Sequence, residues 1–97
     1  MMKICLLGAS GSIGKQTLDV MSKNSNDFVL TGFSVGQHVE KIASILKNNK
    51  EVKFICVGNE SDAIKLQARH KDITFFYGDE GLINLIRSAD AEMIVNA

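Results

Sequence analysis

Glycines at spaced positions near the amino terminus are the residues of this sequence best suited to chemistry. They lie in the run Gly8-Ala9-Ser10-Gly11-Ser12-Ile13-Gly14, spaced G-x-x-G-x-x-G. The first interval is one residue longer than in the G-x-G-x-x-G dinucleotide fingerprint. The physical need is the same. A tight turn must leave a strand, and backbone must approach phosphate oxygens with no Cβ atoms in the way. The free N–H groups at the positive end of the following helix then point at the anion. Ser10 and Ser12 add hydroxyl donors. The chemistry these residues suit is binding of a diphosphate.

A second candidate lies after the next strand, where the adenosine ribose of a bound dinucleotide would sit. Enzymes that use NAD place Asp or Glu there to bind the ribose 2′-hydroxyl. This sequence reads Phe33-Ser34-Val35-Gly36-Gln37-His38, with no acid until Glu40. A carboxylate is missing where it would repel a 2′-phosphate, so NADP is favoured over NAD. No Arg stands nearby; Gln37, His38 and the backbone after Gly36 are the available donors.

Other polar residues read as structural. His70 falls at a helix end, where a positive charge suits the dipole. Tyr77 lies in an apolar strand and reads as packing. Asp79 reads as a helix cap, with Glu80 in the first turn. No Tyr-x-x-x-Lys pair and no other catalytic constellation is evident, and no Cys/His cluster has metal-ligand spacing. Cys5 and Cys56 sit in apolar runs and read as small buried hydrophobes.

The elements that must position these residues alternate. Lys3 to Leu7 is an apolar run like a strand buried on both faces. A helix follows from Ile13, with Thr17, Leu18, Val20 and Met21 at helical spacing, until Lys23-Asn24-Ser25-Asn26-Asp27 stops it. Phe28 to Val35 is the second strand. Val39, Ile42, Ala43 and Leu46 mark an amphipathic helix. Lys53 to Val57 is a third strand. Asn59, Glu60 or Ser61 could cap a helix running to about His70. Ile73 to Tyr77 is a fourth strand, Leu82 to Ile86 a short helix, and Met93-Ile94-Val95 a fifth strand. Strict alternation predicts a Rossmann-like, doubly wound α/β fold: a parallel sheet of about five strands with helices on both faces.

The 97 residues allow one domain, spanning 1–97, with a modest core. Eleven basic residues balance 11 acidic ones, which gives nucleic acid or a membrane surface no basic face to select. Lys47, Lys50 and Lys53, interrupted by Glu51, read as a solvated face. No apolar stretch approaches the roughly 20 residues of a membrane helix. A strand begins right after Met1-Met2, leaving no room for a signal peptide, so a cytoplasmic location is expected. The chain stops as the fifth strand would deliver its loop, so a piece of a longer protein is expected.

The run Ile4-Cys5-Leu6-Leu7-Gly8-Ala9-Ser10-Gly11-Ser12-Ile13-Gly14-Lys15-Gln16-Thr17-Leu18-Asp19-Val20 resembles the opening of 1-deoxy-D-xylulose-5-phosphate reductoisomerases, I-L-G-S-T-G-S-I-G-x-Q-T-L-D-V. Ser34-Val35-Gly36-Gln37-His38-Val39 resembles the family's A-G-K-N-V segment, and Gly81-Leu82 and Ile94-Val95-Asn96-Ala97 also resemble it. The resemblance implies about the first quarter of a bacterial-type, homodimeric, cytoplasmic enzyme of the non-mevalonate route to isoprenoids. Such enzymes rearrange 1-deoxy-D-xylulose 5-phosphate and reduce it with NADPH to 2-C-methyl-D-erythritol 4-phosphate, using a divalent metal such as Mg or Mn. It implies that Ser10, Gly11, Ser12 and Ile13 contact the NADPH diphosphate and its surroundings, beside the Gly8 that the spacing already assigns to the cradle. Gly36, Gln37 and His38 would surround the adenosine ribose and its phosphate. The family's metal carboxylates, substrate-phosphate site and lid would lie beyond residue 97, so no turnover is expected from this chain alone. Two departures stand out: Ser10 replaces the usual Thr, and Gln37-His38 replaces a frequent Lys-Asn. The alternatives are the Rossmann domain of another NADP-dependent reductase and a non-catalytic nucleotide-binding module.

Overall fold

The computed structural model describes all residues, Met1–Ala97. Five strands, β1 (Met2–Leu7), β2 (Phe28–Ser34), β3 (Phe54–Val57), β4 (Thr74–Tyr77) and β5 (Met93–Asn96), alternate with helices α1 (Ser12–Lys23), α2 (Ile42–Asn48), α3 (Glu60–Arg69) and α4 (Gly78–Ser88). All strand pairs are parallel, in the order β4-β3-β2-β1-β5. The chain steps outward from β1 through β4, then crosses back so that β5 lies on the other side of β1. The doubly wound α/β expectation holds.

Right-handed crossovers on both sides of β1 force helices onto opposite faces. Two cores result. The larger joins Ile4, Leu6, Leu30, Phe33, Ile55 and Phe75 of the sheet to Met21 of α1, Ile42 and Ile45 of α2, and Ala63 and Leu66 of α3. The smaller joins Cys5 and Cys56 to Leu85 of α4 and to Ala89. The apolar strand runs are thus covered on two sides, as buried parallel strands require.

One irregularity sets the face of β2. Ile4 pairs with Leu30 but Cys5 with Gly32, so Thr31 is an extra residue between two paired positions. Its hydroxyl donates to the Ile4 carbonyl at 3.3 Å. The bulge lets Leu30 and Phe33, three residues apart, enter the same core. It also turns Gly32 towards α4, where a Cβ would lie 3.0 Å from Leu85 Cδ1 and 3.1 Å from Ala89 Cβ. Strict alternation along β2 would have split Leu30 from Phe33.

Local signals explain most element ends. Asn24 closes α1, its amide donating to the Met21 carbonyl. Asn59 caps α3, its side-chain oxygen accepting from the Asp62 amide at 2.9 Å. Gln67 of α3 covers the open edge of β4: its oxygen accepts from the Phe75 amide and its nitrogen donates to the Ile73 carbonyl. Three expectations need correction. The helix read from Val39 begins as a 3-10 turn over Val39–Lys41 before α2. The last helix starts at Gly78, with Tyr77 at its cap position, so Asp79 lies inside the first turn. Tyr77 itself is 45% exposed and donates to Glu60 Oε2 at 3.1 Å, so it is a surface group rather than packing. That carboxylate raises the phenol above its ordinary range.

Candidate functional site

The order β4-β3-β2-β1-β5 puts the point where the strand order reverses between β1 and β5. Ligands of open α/β sheets bind beyond the carboxyl ends of the strands at such a switch point. The glycine loop leaves β1 there.

Backbone contacts hold this loop. The Gly8 amide donates to Ser34 Oγ at 2.9 Å, and the Ala9 amide to the Ser34 carbonyl at 2.8 Å. Ser34, buried at the end of β2, therefore grips the loop twice. Gly8 has φ +81°, and a Cβ there would lie 2.9 Å from the Ala97 carbonyl oxygen. At Gly14 a Cβ would run into the Gly8 carbonyl oxygen and lie 2.8 Å from Ala9 backbone atoms. Gly14 thus lets α1 start directly against the turn. Gly11 precedes α1 and supplies no side-chain cap, and the amides of Ser12, Ile13 and Gly14 find no acceptor within the chain. These donors and a Cβ-free surface form an anion cradle. Ser10 is half-buried beside it; Ser12 and Ile13 are exposed.

The second candidate group is looser. Gly36, Gln37 and His38 are all exposed at the end of β2. The Gly36 carbonyl accepts from the Gly58 amide at 3.1 Å, and a Cβ at Gly36 would meet nothing within 4 Å. The acid read as remote in sequence is near in space: Glu40 Oε2 lies 3.4 Å from His38 Nδ1. A protonated His38 is therefore already matched by a carboxylate.

Of the sequence-derived residues, Gly8, Ser10 and Gly11 share one loop beside β5, Ser12 and Ile13 open α1 directly after it, and Gly36, Gln37 and His38 lie at the adjoining end of β2. Sequence reasoning missed Ser34, whose polarity in an otherwise apolar strand end was the available signal. It also missed Lys15 and Lys41, which line a cleft with Ser10. No residue pattern announced that meeting, because it depends on how α1 packs beside α2.

Other reactive groups stand apart. Burial pushes the Cys5 and Cys56 thiols up to about 11, which leaves both protonated and inert at neutral pH. His70 ends α3 with its ring 5.8 Å from that of Phe75. No group of three His, Cys, Asp or Glu residues comes together, so these residues do not fit a divalent metal. No helix is long and apolar enough to cross a membrane.

Comparison with known proteins agrees with this geometry. Residues 4–97 match the family described as 1-deoxy-D-xylulose 5-phosphate reductoisomerase. The chain is 41% identical over 97 residues to 1-deoxy-D-xylulose 5-phosphate reductoisomerase 2 of Bacillus thuringiensis, covering all of this chain and 25% of that protein. It is 37% identical to the Listeria innocua reductoisomerase, again over 25% of that protein. The chain thus spans about a quarter of the length of these relatives. Among solved structures, a DOX-P reductoisomerase in complex with NADPH, fosmidomycin and magnesium superposes with a TM-score of 0.86 at 22% identity, over 97% of this chain and 24% of that one. The Zymomonas mobilis enzyme in complex with NADPH gives a TM-score of 0.81 at 21% identity, over 96% and 24%. At such identities the superpositions establish the fold, and the sequence match establishes kinship. The glycine loop, the sheet order around it and the match over residues 4–97 lead to one conclusion: the chain belongs to the 1-deoxy-D-xylulose 5-phosphate reductoisomerase family.

Proposed function

We propose that residues 1–97 form the NADPH-binding unit of a reductoisomerase that converts 1-deoxy-D-xylulose 5-phosphate into 2-C-methyl-D-erythritol 4-phosphate. NADPH supplies a hydride when bound. The residues of this chain bind and orient the cofactor. Gly8, Ser10, Gly11, Ser12 and Ile13 surround the diphosphate, and Gly36, Gln37 and His38 border the adenosine ribose. Catalytic groups, the phosphorylated sugar site and the divalent metal belong to the remaining three-quarters of such an enzyme.

The observation that carries this reading is the cradle at the start of α1. Amides of Ser12, Ile13 and Gly14 lack acceptors, and Gly8 and Gly14 stand where a Cβ would meet backbone. That close backbone packing starts α1 directly against the turn and so brings the free amides together at one point. The exposed Ile13 side chain, 60% accessible at the mouth of the cradle, offers an apolar surface to a bound cofactor.

Titration of the chain with NADPH, NADH and ATP, followed by calorimetry, tests the proposal. NADPH is expected to bind more tightly than NADH, and ATP more weakly than both. A chain folded by circular dichroism that binds neither dinucleotide refutes the assignment and leaves a non-catalytic α/β module.

A further inference from the structure

The far end of the sheet, at the amino-terminal ends of β3 and β4, carries a cleft of about 360 Å³. The strands run parallel, so this end lies opposite the one that bears the glycine loop. Lys50 and Lys53 line the cleft from the connection between α2 and β3, and Arg69, His70 and Lys71 from the end of α3 and its turn to β4. Asp72 is the only acid in the lining. Lys47 and Glu51, the sequence neighbours of Lys50, do not line it. Four of the 11 Lys and Arg residues thus gather here with one of the 11 acids, which leaves the rest of the chain with an excess of acid. The chain makes three ion pairs, Lys3–Asp90, Lys23–Asp19 and His38–Glu40, and no residue of this cleft takes part in any of them. The helix dipole accounts for Arg69 in the last turn of α3. It does not account for Lys50, Lys53 and Lys71, which lie beyond the helices. Backbone bonds hold the two connections. The Lys53 amide donates to the Thr31 carbonyl at 3.0 Å, and the Lys53 carbonyl accepts from the Thr74 amide at 2.9 Å. Gln67 Nε2 donates to the His70 carbonyl at 3.2 Å and to the Ile73 carbonyl at 2.6 Å, which fixes the turn bearing Lys71.

We propose that this cleft is a second anion site, separate from the cofactor cradle, that takes a small molecule carrying two or more linked phosphates. Like charges held together on fixed backbone repel one another, and a bound polyanion removes that cost. Lys50 and Lys53 come from one connection and Arg69 and Lys71 from the other, so an anion between them is met from both sides. Four full positive charges exceed what a single phosphate neutralises and suit a diphosphate or triphosphate. Arg69 can hold one phosphate through its planar fork, while the lysines act as point charges. Val52 and Ile73 add apolar surface to the lining, and the volume is that of a small-molecule pocket. A nucleic acid fits less well. The cations fill one cleft rather than a stripe, and the acid excess elsewhere repels a long phosphate backbone. The site does not depend on the cofactor assignment.

The experiment titrates the full chain with inorganic diphosphate, orthophosphate and a short oligothymidylate, following backbone amide shifts by NMR. Amides of Lys53, Lys71 and Asp72 read the cleft; those of Ser12, Ile13 and Gly14 read the cradle separately. Variants are R69A/K71A, R69K/K71R and D72N, with circular dichroism confirming each fold. All three positions are exposed, so the substitutions disturb no core. Diphosphate should shift the cleft amides saturably at millimolar concentration and bind there more tightly than orthophosphate. R69A/K71A should weaken that binding about tenfold, roughly threefold for each exposed charged contact, and leave the cradle amides as they were. R69K/K71R should stay within about threefold of the wild type, and D72N should bind about twofold more tightly because it removes the opposing charge. Cleft shifts that do not saturate, or that orthophosphate reproduces at the same concentration, overturn the proposal. So does an R69A/K71A variant that binds diphosphate at the cleft as the wild type does. Oligothymidylate binding more tightly than diphosphate assigns the face to nucleic acid and overturns it too. Failure at the cradle amides alone bears on the cofactor assignment and leaves the cleft result standing.

Discussion

The loop after β1 and the loop after β2 face the same end of the sheet but are built in opposite ways. The first is set by backbone: Ser34 grips Gly8 and Ala9, Gly8 sits at φ +81°, and Gly14 leaves no room for a Cβ. The second, Gly36 to His38, is exposed and has open space around its glycine. In the proposed cofactor reading, the first loop must place several amides within hydrogen-bond range of one diphosphate and so has to be rigid. The second would only border the ribose and can vary its side chains at little cost to the fold. The difference teaches that glycines in similar settings carry unequal weight, and that weight follows from what surrounds the missing Cβ.

Substitutions can break or sharpen this contrast. The largest effect is expected at Gly14. Gly14→Ala drives a methyl into the backbone of Gly8 and Ala9 and should cost about 3 kcal/mol in urea unfolding, with loss of NADPH binding. Gly8→Ala is expected to cost about 2 kcal/mol, combining left-handed backbone with a Cβ 2.9 Å from the Ala97 oxygen. Ser34→Ala leaves the Gly8 amide without its acceptor and should cost about 1 to 2 kcal/mol, weakening NADPH binding through a loosened loop. Gly36→Ala is expected to shift stability by less than about 0.5 kcal/mol, since its φ is not positive and no atom lies within 4 Å. A Gly36→Ala cost as large as that of Gly8→Ala, measured in the same unfolding series, would erase the distinction between the two loops.

Legibility in the sequence followed the same division. The alternating elements could be read because the β1 and β3 runs are apolar on both sides, and because Asn59 and the polar stretch after Lys23 mark helix ends. The glycine loop could be read because its spacing expresses a local backbone requirement. The start of α4 was misplaced by two residues, because Gly78 at φ +70° lets the helix begin directly from Tyr77. Tyr77 was misread because β4 is an edge strand whose end is exposed, which its composition does not reveal. The bulge at Thr31 was invisible for a similar reason: it is a relation between β1 and β2.

Residue order alone determined the α/β class, the position of the glycine loop and the kinship carried by Gly11-Ser12-Ile13-Gly14 and the residues that follow. Each of these rests on interactions between residues close along the chain. Tertiary structure decided that β5 returns to β1, that Ser34 anchors Gly8, that Glu40 faces His38, and that Lys15 and Lys41 share one cleft. These are meetings between residues brought together by sheet order, helix packing or a loop's turn. Local periodicity carries no record of them, because the same pattern of apolar and polar residues is compatible with several strand orders.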